Sequence, residues 1–458
     1  MHKGGLEQLQ GVLDGARALS AREHTDSATL VASLRQIYQT MFNVDFADYD
    51  VAAVRDAAPQ LRREMMAVQL DLRGRVPAWA AAGLMTRPAQ AALRDVFRVI
   101  RYARDLVAEI ALGHQRLDAQ ATVAVAFADA GFFLEPNPSF GNGTVALRPG
   151  DVVLQRGRVH NSAAIARIGD IDSQFSHVSL VGEAGDGSPI MVEALIEDGC
   201  IVSPIQKSLA HSVARAVVFR HKDADLAARA AELIRDHVLA ADGEQRPRIL
   251  YDFSMELVGY QELFCAKLVR LAYSMASTGD VQIPRYPTVL DMRNRDFVGR
   301  IGVTATETFA PGDMELESDF DIVAEWHDYR VTSELRLKDM IMTKLFEWMD
   351  KHGYRFEPTP AIEAVALLGR VSAHLPDAVQ EITRGLLAKV PPNMSASAIA
   401  AVAMLHRTAE ELYAKLAEAE LDTIARTGRQ MHPREVLGKL ERYRAELGPR
   451  IGYLVQMG

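Results

Sequence analysis

Hydrophobic residues change their period twice along this chain. From residue 4 to about 118 they recur at helical spacing, as in Leu30, Leu34, Ile37 and Met41, and again in Leu93, Val96, Ile100, Ala103 and Val107. After about residue 130, Pro136, Pro138, Gly141, Gly143 and Pro149-Gly150 punctuate the chain and short runs of strand type appear. Asp151 to Gln155, Phe175 to Val181, Ile190 to Leu195, Cys200 to Pro204 and Ala214 to Arg220 read as strands. A helix is expected at about 223 to 239, and a further strand at 320 to 327. From about 333 the helical period returns, through Leu335, Met340, Met342, Leu345 and Trp348 and then across 361–391, 396–421 and 433–447. Strands confined to the middle third predict an α+β core with all-α regions at both ends. The borders implied are 1–130, 131–332 and 333–458.

The terminal regions carry helix signals and no chemical motif. Asp26 or Ser27 suits a helix cap, and Pro88 suits the first turn of a later helix. The charges of the carboxy-terminal helices are expected to form solvated faces, and His24 and Trp79 to be structural. Packing or the binding of a protein partner is the expected role of these regions.

Composition narrows the function. A length of 458 residues allows two or three domains, and 48% hydrophobic with 24% charged residues is ordinary for a globular chain. A net charge of −9 gives no overall attraction to nucleic acid or an anionic membrane. The first residues, Met-His-Lys-Gly-Gly-Leu-Glu-Gln, lack the apolar core of a signal peptide, and no apolar run is long enough for a transmembrane helix. A cytoplasmic location is the resulting expectation, with signal-independent export left open. The two cysteines, Cys200 and Cys265, make neither a disulfide framework nor a zinc ligand set. Phosphate-loop, dinucleotide, zinc-helix and serine-elbow motifs are missing, so no metal and no cofactor is expected.

Residues 262 to 273 hold the most suggestive chemistry. Cys265 falls near the start of an expected helix, and Leu268, Val269 and Ala272 share its face. Unpaired N–H groups and the macrodipole stabilise a thiolate at such a position. A small packed core thiol fits the same pattern. Upstream, His177 and Glu193 lie in two strand-type runs joined by Gly-Glu-Ala-Gly-Asp-Gly-Ser-Pro. A hairpin centred on Gly185 would set 177 opposite 193, Val178 opposite Val192 and Leu180 opposite Ile190. Imidazole would then lie beside carboxylate, the arrangement that orients a base. Taken singly, His177 suits a satisfied core histidine and Glu193 an edge carboxylate facing water. Asp252 is a second candidate for the orienting acid but suits a loop-holding role better, and Gln261 is a candidate oxyanion donor that suits a helix-start polar residue better. His160 and His211 are expected to face solvent, and Cys200 to be a packed bystander.

These residues carry a resemblance. Gly150-Asp151-Val152-Val153-Leu154, Phe175-Ser176-His177-Val178-Ser179-Leu180-Val181, Val192-Glu193-Ala194, Tyr251-Asp252-Phe253 and Phe264-Cys265 follow one another in this order. Over roughly residues 148 to 330 the chain resembles the circularly permuted papain-fold hydrolases of the YiiX/YebB type, relatives of NlpC-type peptidases and lecithin:retinol acyltransferase-type enzymes. The resemblance implies a permuted papain-like core with Cys265 as nucleophile, His177 as general base, Glu193 as its orienting group and Tyr251 lining the acyl site. That family usually follows its cysteine with Ser-Glu-Leu-Val, where this chain has Ala266-Lys267-Leu268-Val269. The function implied is a cysteine amidase or peptidase that cleaves a peptide, isopeptide or acyl-amine bond through a thioester. An acyltransferase or lipid-ester hydrolase would use the same thioester, and a partner-binding protein with a degenerate core is the non-enzymatic alternative.

Overall fold

The computed structural model describes residues 6–112, 133–141, 145–210, 213–241, 248–278, 283–290, 295–372 and 390–457. The helical expectations for 113–118 and 373–389 fall outside these residues. Four helices open the chain: α1 (Leu6–Ser20), α2 (Ser27–Asn43), α3 (Val51–Ala81) and α4 (Arg87–Leu112). Asp26 caps α2 by accepting the Thr29 N–H, and Pro88 lies in the first turn of α4. The leucine and isoleucine stripes of α2 and α4 meet in one apolar cluster, which also buries Trp79.

The sheet forms from β1 (Phe133–Pro136), β2 (Val152–Gly157), β3 (His177–Glu183), β4 (Pro189–Leu195), β5 (Gly199–Pro204), β6 (Val213–His221) and β9 (Phe320–His327). Strands β7 (Thr288–Val289) and β8 (Glu307–Thr308) make a separate two-stranded ribbon. The large sheet runs β1-β9-β6-β2-β3-β4-β5, with every neighbour antiparallel. Short helices α5 (His160–Ile165) and α6 (Ile205–Ala210) interrupt the strands, and α7 (Ala224–Ala241) and α8 (Cys265–Ala276) pack on one face. Val152, Leu154, Val178, Leu180, Val192 and Ala194 point to that face, against Ile234, Leu268, Val269 and Ala272. Val153, Val181, Met191 and Val218 alternate to the other face, with Ile205 and Leu209 of α6. The chain ends in α9 (Arg295–Ile301), α10 (Thr332–Lys351), α11 (Pro360–Ser372), α12 (Ala396–Thr427) and α13 (Pro433–Leu447), with a small sheet of β10 (Tyr354–Phe356), β11 (Arg450–Ile451) and β12 (Leu454–Gln456). Among the described residues no helix is long and apolar enough to cross a membrane.

The hairpin register differs from the expected one. Leu180 pairs with Val192, Val181 with Met191 and Gly182 with Ile190, which centres the turn on Asp186 and not on Gly185. The turn residues set this. Asp186 accepts from the Ser188 N–H at 3.0 Å, and Gly187, at φ +81°, takes the left-handed third position of a three-residue loop. Pairs slide by two residues relative to expectation. Because side chains alternate with period two, each keeps its face.

The solvated faces expected across 361–391, 396–421 and 433–447 hold for most of the described charges there, with Glu420 the correction: it is buried, as are Arg336 and Asp339 of α10. They join a network that starts on α4, whose Arg101, Arg104, Asp105 and Glu109 are buried as fully as its apolar residues. Arg101 and Arg104 bond Glu325 of β9, and Asp105 pairs with Arg215 of β6. Arg336 grips Glu109 through two bonds of 2.9 Å and reaches Glu420 at 3.2 Å. Asp339 accepts from Arg156 and Arg167. Hydropathy cannot distinguish a charged face that meets water from one that meets its complement. Breaking one side of a buried pair strands the other charge, at about 3–5 kcal/mol. Glu325→Ala should therefore lower the urea midpoint steeply, whereas Arg87→Ala, in the exposed pair with Glu307, should leave it nearly unmoved.

Candidate active site

Cys265 is the first residue of α8. Phe264 at the N-cap contributes no side-chain cap bond, so the opening N–H groups of the helix are left to serve the sulfur or a ligand. The approach to the helix is folded back on itself: Leu263 N–H donates to Leu250 O at 3.1 Å, and Asp252 N–H to Leu263 O at 3.3 Å. Tyr251 is thereby brought to the sulfur, with which its hydroxyl forms a hydrogen bond. The same loop is pinned to β5, where Cys200 N–H donates to Ile249 O at 2.9 Å. Gly199 permits this approach, since its φ is +70° and a Cβ would meet Ile249 O at 2.3 Å.

His177 opens β3. Its Nε2 lies 3.0 Å from Glu193 Oε2, and its ring is also hydrogen-bonded to Cys265. With Nε2 engaged by the carboxylate, Nδ1 is the nitrogen available to the sulfur. The observed register makes Glu193 a diagonal neighbour of His177 instead of a directly opposite one. The shared face keeps the two in contact. Glu193 is buried, not turned to water as an isolated edge carboxylate would be. Its Oε1 accepts from Ser203 Oγ and its Oε2 from Ser208 Oγ, both at 3.0 Å. Gln155 Nε2 donates to Ser179 Oγ at 3.1 Å and to Ser208 Oγ at 3.4 Å, extending the chain of polar contacts. Gln155, Ser203 and Ser208 were not singled out from sequence. Gln155 and Ser203 are polar residues at strand positions whose alternation calls for burial, and that was the available signal.

The electrostatics follow from these contacts. Burial opposes a charged imidazole, but the hydrogen bonds it donates to Cys265 and then to Glu193 outweigh that, and His177 is pushed up to about 10. Burial also works against the Glu193 carboxylate. The hydrogen bond and charge of His177, then the two serines, overcome it and hold Glu193 below the usual range. Burial first, and the nearby Cys265 charge second, push Tyr251 well above the ordinary phenol range, so its hydroxyl remains a donor.

With this geometry in place, comparison adds a relationship. Residues 146–315 match the family described as permuted papain-like amidase enzyme, YaeF/YiiX, C92. Over this segment the chain is similar to the permuted papain-like amidases. No curated protein and no solved structure matches the chain. The matched segment holds Cys265, His177, Glu193 and Tyr251 within its borders. Its mixed architecture, an antiparallel sheet with helical regions on both sides, agrees with the fold expected from the resemblance.

The remaining candidates are placed as follows. Asp252 bonds Lys267 and Ser254 and so holds its loop. Gln261 is exposed ahead of the helix. Cys200 is packed in the amidase core, where burial pushes its thiol up to about 12. His160 was expected to face solvent and does not: it is buried against α12, with Nε2 2.9 Å from Glu410 Oε2. Its backbone follows a strand end, and the packing of α12 over α5 removes it from water. His211 lies outside the described residues. A ring raised to about 10 is charged at neutral pH and loses its proton only as pH rises through that value. Histidine-labelled NMR should show His177 as imidazolium at pH 7.5, and Glu193→Gln should move its titration downward.

Proposed function

We propose that this chain is a cysteine amidase in which Cys265 is the nucleophile, His177 the general base and Glu193 the group that orients the base. The observation that carries the reading is one imidazole in contact with both the sulfur and a buried carboxylate. His177 already holds the thiol proton in the resting site, as imidazolium beside thiolate, and the thiolate attacks the substrate carbonyl. The oxyanion meets the Cys265 N–H at the uncapped start of α8, and Tyr251 lines the acyl side. His177 then gives its proton to the departing amine as the C–N bond breaks, leaving a thioester on Cys265. Water, deprotonated by the same ring, attacks the thioester, and the sulfur leaves to regain its starting state. The substrate class is a peptide, an isopeptide or an acylated amine. In this reading the hydrolase core spans 131–332, between helical regions 1–130 and 333–458.

The test pairs Cys265→Ala with Cys200→Ala against a panel of amide, ester and lipid substrates. Loss of turnover by about three orders of magnitude or more is expected in the first variant only. Intact mass spectrometry of the wild-type protein should show an acyl group on Cys265. Transfer of that group to an added amine in preference to water would reassign the enzyme as an acyltransferase. Turnover kept without Cys265 and lost without Cys200 would remove the assignment altogether.

A further inference from the structure

Lys267 stands two residues beyond the sulfur, in the first turn of α8. The positive end of the helix opposes a cation at that position, yet the side chain is almost fully buried there. One carboxylate holds it: Nζ lies 2.6 Å from Asp252 Oδ2. The other oxygen of Asp252 accepts from the Ser254 N–H at 2.9 Å and from the Ser254 hydroxyl at 2.5 Å. Asp252 directly follows Tyr251, whose carbonyl oxygen accepts from Asn393 Nδ2 at 2.8 Å on the opposite side. A small closed circuit results. The helix carries the sulfur and the ammonium two residues apart, and the loop carries the phenol and the carboxylate on adjacent residues. Tying ammonium to carboxylate leaves the hydroxyl little freedom relative to the sulfur. Desolvating an ion pair is commonly a net cost, so a buried pair at the wrong end of a helix calls for a role other than stability.

We propose that the Lys267–Asp252 pair is a positioning latch that holds the Tyr251 hydroxyl on the Cys265 sulfur, where it donates to the thiolate. This rests on the cysteine-hydrolase reading and assigns the means by which its thiolate is set. Lys267 and Asp252 act through Tyr251 and touch no substrate. The ionisable groups that face the sulfur are His177 from β3 and Tyr251 from the loop. Glu193 lies behind the ring, Glu197 acts on the Tyr251 hydroxyl, and the latch pair lies beyond. The Tyr251 hydroxyl keeps its proton across the working range, as a donor must.

The experiment follows the rate of Cys265 alkylation by iodoacetamide against pH, by peptide mass spectrometry, in the full chain carrying Cys200→Ala. Alkylation at pH 7 well above the rate of an unstructured cysteine peptide is expected without further change. A rate equal to the peptide's would overturn the cysteine-hydrolase reading and the latch with it. Given the faster rate, Lys267→Met combined with Asp252→Asn removes both charges and strands neither. It should raise the midpoint by about one pH unit, the size of one lost hydrogen bond to a charged group. Tyr251→Phe should do the same, and adding the latch substitutions to it should cause no further rise. An unmoved midpoint, or a shift that adds in full to that of Tyr251→Phe, overturns the latch while leaving the hydrolase reading intact. Ser254→Ala loosens one oxygen of Asp252 without stranding a charge. A smaller rise in the same direction is expected from it, and no rise would count equally against the latch if the double variant does not fold.

Discussion

One ring has to touch two groups that the sheet keeps on opposite sides. Helix α8, with its sulfur, packs on the face of Val178 and Leu180, while Glu193 alternates with Val192 and Ala194 and so belongs to the other face. An imidazole in the middle of a strand could serve only one of them. His177 is the first residue of β3, at the rim, and from there its two nitrogens address both sides. The start of α8 must lie at the same rim. That explains why the sulfur sits on a helix-opening residue and why the loop before it doubles back to deliver Tyr251. The site is thus a property of the sheet's end, and the apolar alternation of β2, β3 and β4 exists to hold that end in place.

A second constraint acts across the whole chain. Helix α4 buries an apolar face in the amino-terminal cluster and a charged face against β6, β9 and α10. Buried ion pairs add little net stability, since desolvation offsets their attraction, but they tolerate few alternative partners. Here each guanidinium is committed to a carboxylate from a distant part of the sequence. Packing alone would let helices slide along the sheet. A slide by one turn would strand several charges, so the network fixes where each helix sits.

Much of this was legible in residue order. The strand positions, the cysteine helix and the nearness of His177 to Glu193 all follow from period and alternation, which depend only on local side-chain direction. What escaped detection was set by non-local contacts. The register at Gly187 turned on one left-handed residue among three neighbouring glycines and an aspartate, and spacing alone could not choose among them. His160 has the local signature of a surface histidine and is covered by a helix that begins more than two hundred residues later. Ser203 and Ser208 look like ordinary small polar residues until Glu193 is placed between them. Charged stripes on α10 and α12 carry no mark that tells complementarity from hydration.

The matched segment, residues 146–315, ends well short of the contacts that complete it. Arg156, Arg167 and Arg215 lie inside its borders, and their carboxylate partners Asp339 and Asp105 lie outside, as does the strand β9 that covers the edge of β6. Asn393, farther still along the chain, braces the loop that carries Tyr251. A fragment excised at the family borders would expose a raw strand edge and leave the Arg156 and Arg215 guanidiniums without their carboxylates. The flanks thus serve as parts of the matched unit, and truncation at its borders would dismantle the site from a distance.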